Sequence, residues 1–472
     1  MLWSHEDAAR ATGGTTTGPW QASGISIDTR ILQPGDLFVA LRDRRDGHAF
    51  VSEAFAAGAA AALVERRDLP VPDDAPLLVV PSVQTALEAM ARDRRAATGC
   101  KALAVTGSVG KTSCKDMLRL ALGQQGLVHV SKKSYNNHWG VPLTLACMPR
   151  DTDYLVAEVG MNQPGEIAPL ARLVRPHVGL ITTVGAAHLA AFGTVDGIAR
   201  EKAQLLTALE PGGAAILNRD IESFDIVVAV ARQSADRIVT FGLADTADYR
   251  LYEIRNRDTA TVARAATPGH EHLFKLAAIG EHHALNALGV LAALEAAGAD
   301  PVMAALALQD WQPLDGRGQR IDIMIDRAVE NGTLVLVDDA YNSNPTSLTA
   351  GLISLGRMTG TGSRIAILGD MLELGEAEVE IHAGLADHPA IGRLDAIHCI
   401  GPLMRHFHAA LPYDKRGLWC ERPEDLVSRI HQIAGIGDIV LVKGSKASGT
   451  SLVATAFRQL DTSETTSGKR VN

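Results

Sequence analysis

Short apolar runs alternate with amphipathic stretches along this chain, and the period of each stretch predicts its element. Ser4 and Asp7 have the spacing of a capping box, so a helix opens there and ends at Gly13-Gly14. Ile25 and Ile27 alternate with polar neighbours, Pro34-Gly35 turns the chain, and 37–41 reads as a buried strand. A helix over 52–57 leads through Gly58 into a strand at 60–64, and another strand falls at 77–80. Ser82 caps a helix over 83–97, closed by Gly99. This is the pattern of a small α/β domain.

From residue 100 onward, strands at 102–106, 154–159 and 178–184 alternate with helices at 112–122, 164–173 and 196–209. That rhythm predicts a parallel sheet. A more β-rich stretch at 237–279 and an alanine-rich helix at 282–297 follow. The alternation then resumes with strands at 321–325, 334–337, 365–368, 396–400 and 439–442. The expected fold class is α/β in three domains, 1–98, 99–312 and 313–460, with 461–472 a disordered polar tail.

Composition narrows the function. Aromatic residues are only 4% against 46% hydrophobic, so the cores are expected to be aliphatic. A net charge of −9 argues against a nucleic-acid partner. No apolar run is long enough for a membrane span, and the start M-L-W-S-H-E-D lacks the basic-then-apolar order of a signal peptide. The five cysteines are scattered without metal spacing, which predicts reduced core thiols and a cytoplasmic location.

The chemistry centres on A-L-A-V-T-G-S-V-G-K-T-S, residues 102–113. A strand, a glycine turn and a helix N-terminus make an anion site, in which backbone N–H groups and the helix dipole face a phosphate. Gly107, Ser108, Gly110, Lys111, Thr112 and Ser113 form the loop, with Lys111 against terminal phosphates and Thr112 offering a hydroxyl to Mg²⁺. Only two residues separate Gly107 from Gly110, fewer than in the common phosphate loop. Glu158 stands at the end of the apolar run 154–157, where a switch or motor NTPase carries Asp, and is a candidate metal ligand. His188 follows another strand. Lys202 reads, from spacing alone, as a surface i,i+4 partner. Asp338-Asp339 and A-Y-N-S-N-P make a polar loop that is either a turn or a ribose or phosphate contact. Arg317, between glycines in D-G-R-G, is placed to swing across a cleft.

Together these segments resemble the Mur ligase family. T-G-S-V-G-K-T-S is similar to that family's ATP loop, and S-Y-N-N-H-W-G-V-P (134–142) to its N-N-x-x-G-V-P signature. A-E-V-G-M-N, A-A-H-L-A-A-F-G and A-R-E-K resemble the segments supplying a magnesium-binding Glu158, a magnesium-binding His188 and a carbamylated Lys202. H-H-A-L-N-A-L resembles the adenine helix, with Asn286 on the base, and Asp339 corresponds to the ribose contact. His283 stands where many members have Asn, and Lys446 where Arg is usual. The N-terminal S-I-D-T-R, P-G-D-L-F-V-A-L and D-G-H resemble a UDP-binding module.

The resemblance implies a small UDP-binding domain, a central P-loop-type ATPase domain and a C-terminal Rossmann-like domain. It further implies ATP-dependent amide formation through an acyl phosphate, with two Mg²⁺ ions and Lys111, His188, Lys202 and Arg317 as catalytic groups. Y-N-S-N-P with G-D-M-L-E-L-G marks the branch that joins D-alanyl-D-alanine to UDP-MurNAc-tripeptide. Its substrate contacts would be Ser26, Asp28, Thr29, Arg30, Asn136, Asn137, Asn342 and Asn344. A monomer with small-molecule partners is the expectation. A tripeptide-synthesising member of the family, a folylpolyglutamate-type synthase and a nucleotide-dependent switch are the rivals, disfavoured in turn by Y-N-S-N-P with no D-N-P-R, by the UDP-like module, and by Glu158 in place of Asp.

Overall fold

The computed structural model describes residues 1–132, 134–257, 259–326 and 331–461. The expected disordered tail falls, from 462 onward, outside the described residues. Besides a two-stranded antiparallel pair, Trp3–Ser4 with Gln21–Ala22, three larger sheets follow one another along the chain, one per domain.

The first helix, His5–Thr12, starts where Ser4 Oγ accepts from the Asp7 amide and stops at Gly13 in the left-handed region. Ser82 caps the helix Val83–Ala97 through the Thr85 amide. Between them lies a sheet whose strands Gly24–Ser26, Asp36–Val39, Ala61–Val64 and Leu77–Val79 run parallel. The short strand Thr15–Thr16 pairs antiparallel at its edge. Trp3 Nε1, fully buried, donates to the Ala146 carbonyl at 2.8 Å and ties this domain to the next.

The second sheet has nine strands. Lys101–Thr106 sits inside it, with Tyr154–Glu158 on one flank and Val178–Ile181 on the other, all parallel. The chain crosses from one flank to the other here, so the strand C-termini open a crevice at a topological switch point. Alternate residues fill two cores: Leu103 and Val105 face one side, Ala102 and Ala104 the other. At the far edge, Ala260–Thr267 and His270–Leu276 add antiparallel strands to the parallel set.

Several sequence-based bounds shift for local reasons. The strand expected to run to 184 stops at Ile181, because the Thr183 and Gly185 carbonyls instead accept from the Ser108 amide and hydroxyl. The helix expected from 164 begins at Ile167, since the Glu201 carboxylate takes the Gly165 and Ile167 amides at 2.9 Å each. The helix expected over 196–209 is Val195–Ala203 followed by a 3₁₀ turn, Gln204–Ala208.

In the third sheet, Asn331–Asp339, Ile439–Lys443, Arg364–Gly369, Ala396–Ile400 and Arg416–Cys420 are parallel neighbours in that order. Gln319–Asp326 departs from the expected alternation by pairing antiparallel with Asn331–Asp339. All five cysteines are free, as expected. Among the described residues no helix is long and apolar enough to cross a membrane.

Candidate active site

The loop after Lys101–Thr106 is held by two glycines that tolerate no side chain. Gly107 has φ 156° and a Cβ there would lie 1.9 Å from Thr182 Oγ1. Gly110, at φ 88°, would place its Cβ 2.6 Å from Asn286 Oδ1. The two-residue gap therefore presses the loop between the Val178–Ile181 edge and the helix Glu281–Ala296. The helix Lys111–Leu122 starts directly after Gly110, aiming its free amides at the crevice. Lys111 Nζ donates to the Gly107 carbonyl at 2.6 Å. Burial pulls the Lys111 amine below its ordinary value, Glu158 opposes this, and Arg317 adds to it.

Glu158 is 1% exposed and closely held. It accepts from Thr112 Oγ1 at 3.0 Å and from Asn136 Nδ2 at 2.8 Å, while Lys115 Nζ stands 3.4 Å away. Lys115 was not singled out from the sequence, although it lies one helical turn beyond Lys111. Lys202 is not the surface residue its spacing suggests. It is 1% exposed, and burial, joined by the charge of Lys111, drives its amine well below the usual lysine value against the opposing Glu201. A lysine carries no apolar signature, so periodicity could not reveal that this face of its helix points inward.

His188 has a left-handed backbone, φ 60°, and its Nδ1 meets Glu373 Oε2 of the third domain at 2.5 Å. Burial keeps this imidazole below its ordinary value despite Glu373. Because an ionised carboxylate only accepts, Nδ1 carries the proton and Nε2 keeps its lone pair. Arg317 also comes from beyond the second sheet. Its guanidinium lies 4.1 Å over the Tyr341 ring and donates from Nη2 to Ser134 Oγ at 2.9 Å. Ser134 Oγ is 3.5 Å from Thr112 Oγ1, so Arg317 already stands beside the loop in this arrangement.

Asp338 and Asp339 separate into two jobs. Asp338 pairs with Arg458 at 2.7 Å, and Asp339 with the buried Lys443 at 2.8 Å. Burial raises the Asp339 carboxyl above its usual range against the pull of Lys443. Asp339, His282 and His283 line a cavity of about 260 Å³ between the second and third domains. Among the described residues, the buried His283 Nδ1 has no hydrogen-bond partner there. Asn286 faces Gly110 of the loop. Asn344 caps the helix Pro345–Arg357 in a reciprocal box with Ser347, and Asn342 is exposed on the same loop.

Between the first and second domains, a cavity of about 620 Å³ is lined by Asp28, Thr29 and Arg30 together with Arg44, Arg45 and Trp139. Arg30 pairs with Asp28 at 2.6 Å, and Thr29 Oγ1 donates to Glu53 at 2.8 Å. Ser26 is buried and donates to the Asp28 carbonyl, which shapes the turn behind that wall. Asn137 Oδ1 accepts the Gly140 amide at 2.9 Å and so orients the start of the helix Gly140–Ala146. The two additional arginines sit in the run R-D-R-R, 42–45, a visible signal that sequence reading passed over.

Comparison with known proteins gives this geometry a lineage. Residues 105–294 match the Mur ligase middle domain, and 319–446 match the Mur ligase, glutamate ligase domain. The UDP-N-acetylmuramoyl-tripeptide--D-alanyl-D-alanine ligase of Bacillus subtilis (strain 168) is 32% identical over 432 residues, 90% of each chain. The Escherichia coli (strain K12) protein of the same name is 32% identical over 441 residues, covering 92% of this chain and 93% of that one. Among solved structures, MurF from Acinetobacter baumannii superposes with a TM-score of 0.83 at 28% identity, over 97% of this chain and 99% of its own. The MurF ligase of Thermotoga maritima in complex with ADP gives 0.78 at 25%, over 93% and 97%. Relatives that match across nearly their whole length, on both sides of the crevice where Arg317 meets Ser134 and Glu373 meets His188, settle the lineage: this chain belongs to the Mur ligase family.

Proposed function

We propose that this chain is an ATP-dependent amide ligase that joins D-alanyl-D-alanine to UDP-N-acetylmuramoyl-tripeptide, completing the pentapeptide precursor of peptidoglycan. Relatives named for that activity, alike over nine-tenths of their length, support the reading. The observation that carries it is Arg317 Nη2 at 2.9 Å from Ser134 Oγ, a third-domain cation beside a second-domain phosphate loop. A nucleotide switch has no need of that convergence; a ligase must bring a second reactant to the γ-phosphate.

The donors fit ATP and magnesium. The helix Lys111–Leu122 starts on the loop with its first-turn amides free and Lys111 Nζ folded over the Gly107 carbonyl, which suits a phosphate, and His283 Nδ1, without a partner among the described residues, suits a polar base edge. Thr112 and Glu158 offer hard oxygen donors 3.0 Å apart and would hold one Mg²⁺. His188 Nε2 and a carbamate on Lys202 would hold a second. Carbamylation requires the neutral amine: its lone pair adds to CO₂, an N–C bond forms and one proton leaves. Burial and the nearby Lys111 charge favour that neutral form. When bound, the ions supply positive charge against the phosphate and acyl oxygens.

Two anions must meet in the first step. The tripeptide's terminal carboxylate attacks the γ-phosphorus, the bond to the bridging oxygen breaks and ADP leaves. Lys111 and Arg317 neutralise charge at this centre. The D-alanyl-D-alanine amine then attacks the acyl phosphate carbonyl, phosphate departs and the amine loses a proton. Third-domain groups that reach Ser134 and His188 beside the loop would keep water from that intermediate. Asp339 would take the ribose and Asn286 the base side. Asp28, Thr29 and Arg30, aided by Arg44 and Arg45, would take the uridine diphosphate end, with Ser26 shaping the turn behind them. Asn136, Asn137, Asn342 and Asn344 would border the muramoyl-peptide. We take the domain limits as 98/99 and 312/313, and the working form as a cytoplasmic monomer.

Phosphate release measured with each substrate omitted in turn tests the reading. Release should require both UDP-MurNAc-tripeptide and D-alanyl-D-alanine. Unconditional ATP hydrolysis, or dependence on glutamate instead, would overturn it.

A further inference from the structure

Far from the phosphate loop, two imidazoles and a carboxylate converge at the antiparallel edge of the large sheet. His270 and His272 stand two residues apart on the strand His270–Leu276 and so share the face that buries Phe274 and Leu276. Their Nε2 atoms are 3.1 Å apart. A carboxylate oxygen of Glu295, in the last turn of the helix Glu281–Ala296, completes a set whose ligand atoms all lie within 4.8 Å of one another. Two nitrogens bound at about 2.0 Å to one tetrahedral zinc ion are separated by about 3.3 Å, close to the spacing seen here.

The surroundings favour a cation. Tyr249 OH donates to Glu295 Oε2 at 2.5 Å, which holds the carboxylate in place. The C-terminal end of a sixteen-residue helix adds partial negative charge at the same place. His272 is buried while His270 is exposed, so the inner ligand is held rigidly and the outer side stays open to solvent. Two imidazoles with one carboxylate suit a borderline-soft ion rather than magnesium.

We propose that His270, His272 and Glu295 bind one divalent first-row transition metal ion, zinc in the first instance, which clips the outermost strand of the large sheet to the helix Glu281–Ala296. The clip lies at the end of that helix opposite Asn286 and takes no part in ligation. It rests on the side-chain geometry alone and stands whatever the substrates of the loop site.

Titration of the full chain with Zn²⁺ in excess Mg²⁺, read by equilibrium dialysis and by thermal denaturation, tests it. One zinc ion per chain should bind, with a Tm rise of a few degrees. His270→Ala and Glu295→Gln should each weaken binding at least tenfold and abolish the Tm rise, while ligation in zinc-free Mg²⁺ buffer stays within twofold. Co²⁺ should give the intense visible bands of a four-coordinate site in the unaltered protein and not in His270→Ala. Absence of stoichiometric zinc binding, or equal binding by His270→Ala, would overturn the proposal and leave the two rings as a hydrogen-bonded pair of imidazoles.

Discussion

His188 and Glu373 are 185 residues apart, yet their side chains meet at 2.5 Å from backbones that are both left-handed, φ 60° and 64°. A non-glycine residue in that region costs of order 1 kcal/mol, so the pair is held by its surroundings. The Glu373 carbonyl accepts the Ala190 amide at 3.0 Å, a second tie across the same seam.

Removing the charge at Glu373 should therefore act through His188. With His188 in the proposed metal-holding role, Glu373→Gln is expected to lower kcat about 10- to 100-fold, the usual cost of losing the carboxylate behind such an imidazole, while the KM for ATP stays within about twofold. Steady-state kinetics check this, and an unchanged kcat would show that the pair only joins domains.

Lys202→Ala removes both the buried amine and any carbamate. Ligation should fall by about a thousandfold or more, with ATP binding retained, because the loss falls on transition-state charge. Added short-chain carboxylates should restore part of the rate by occupying the vacated space. Full activity in the plain variant would sink the carbamate assignment.

Gly110→Ala places a side chain at φ 88° and 2.6 Å from Asn286 Oδ1. The backbone strain alone is about 1–2 kcal/mol. We expect a lower Tm by a few degrees and a KM for ATP raised about tenfold, since the loop and the helix Glu281–Ala296 must part. Differential scanning calorimetry and an ATP titration read both effects, and a variant unaltered in each would refute the close packing.

Acid should destabilise the fold before the carboxylates titrate. Burial lowers the His398 imidazole to about 4, and its Nδ1 accepts the Leu418 amide at 2.9 Å, a bond the protonated ring cannot accept. The unfolded chain takes up a proton near pH 6.5 and the native chain only near 4, so the stabilisation present above pH 6.5 is lost as pH falls through that window. The slope from this one group is about 1 kcal/mol per pH unit. Urea unfolding of His398→Gln across pH 4–7 should show a shallower dependence than the unaltered chain.

Local chemistry made much of the fold legible. Ser4 with Asp7, Ser82 with Thr85, and Gly107 with Gly110 each write an element boundary into a few adjacent residues. What was hidden is long-range. The antiparallel pairing of Gln319–Asp326 and the edge strand Arg416–Cys420 depend on partners elsewhere in the chain. The same holds for the site. The loop, Glu158 and Arg317 could be picked out by type and position, whereas the contacts of Glu373 and Ser134 arise only when domains meet, and that of Lys443 with Asp339 only when two strands distant in sequence pair. Lys202 shows the limit most clearly, because its burial contradicts everything its own helix suggests.

The cavity of about 260 Å³ has His282 and His283 on one wall and Asp339 and Ser354 on the other, side chains from two different domains. A compound lodged there would touch both domains, and separation of the walls would cost it the contacts of one of them. Its residence time would then respond to the rate of domain opening as well as to the number of its own contacts. For inhibitor design this favours a modest molecule that spans the seam over a larger one that fills a single side.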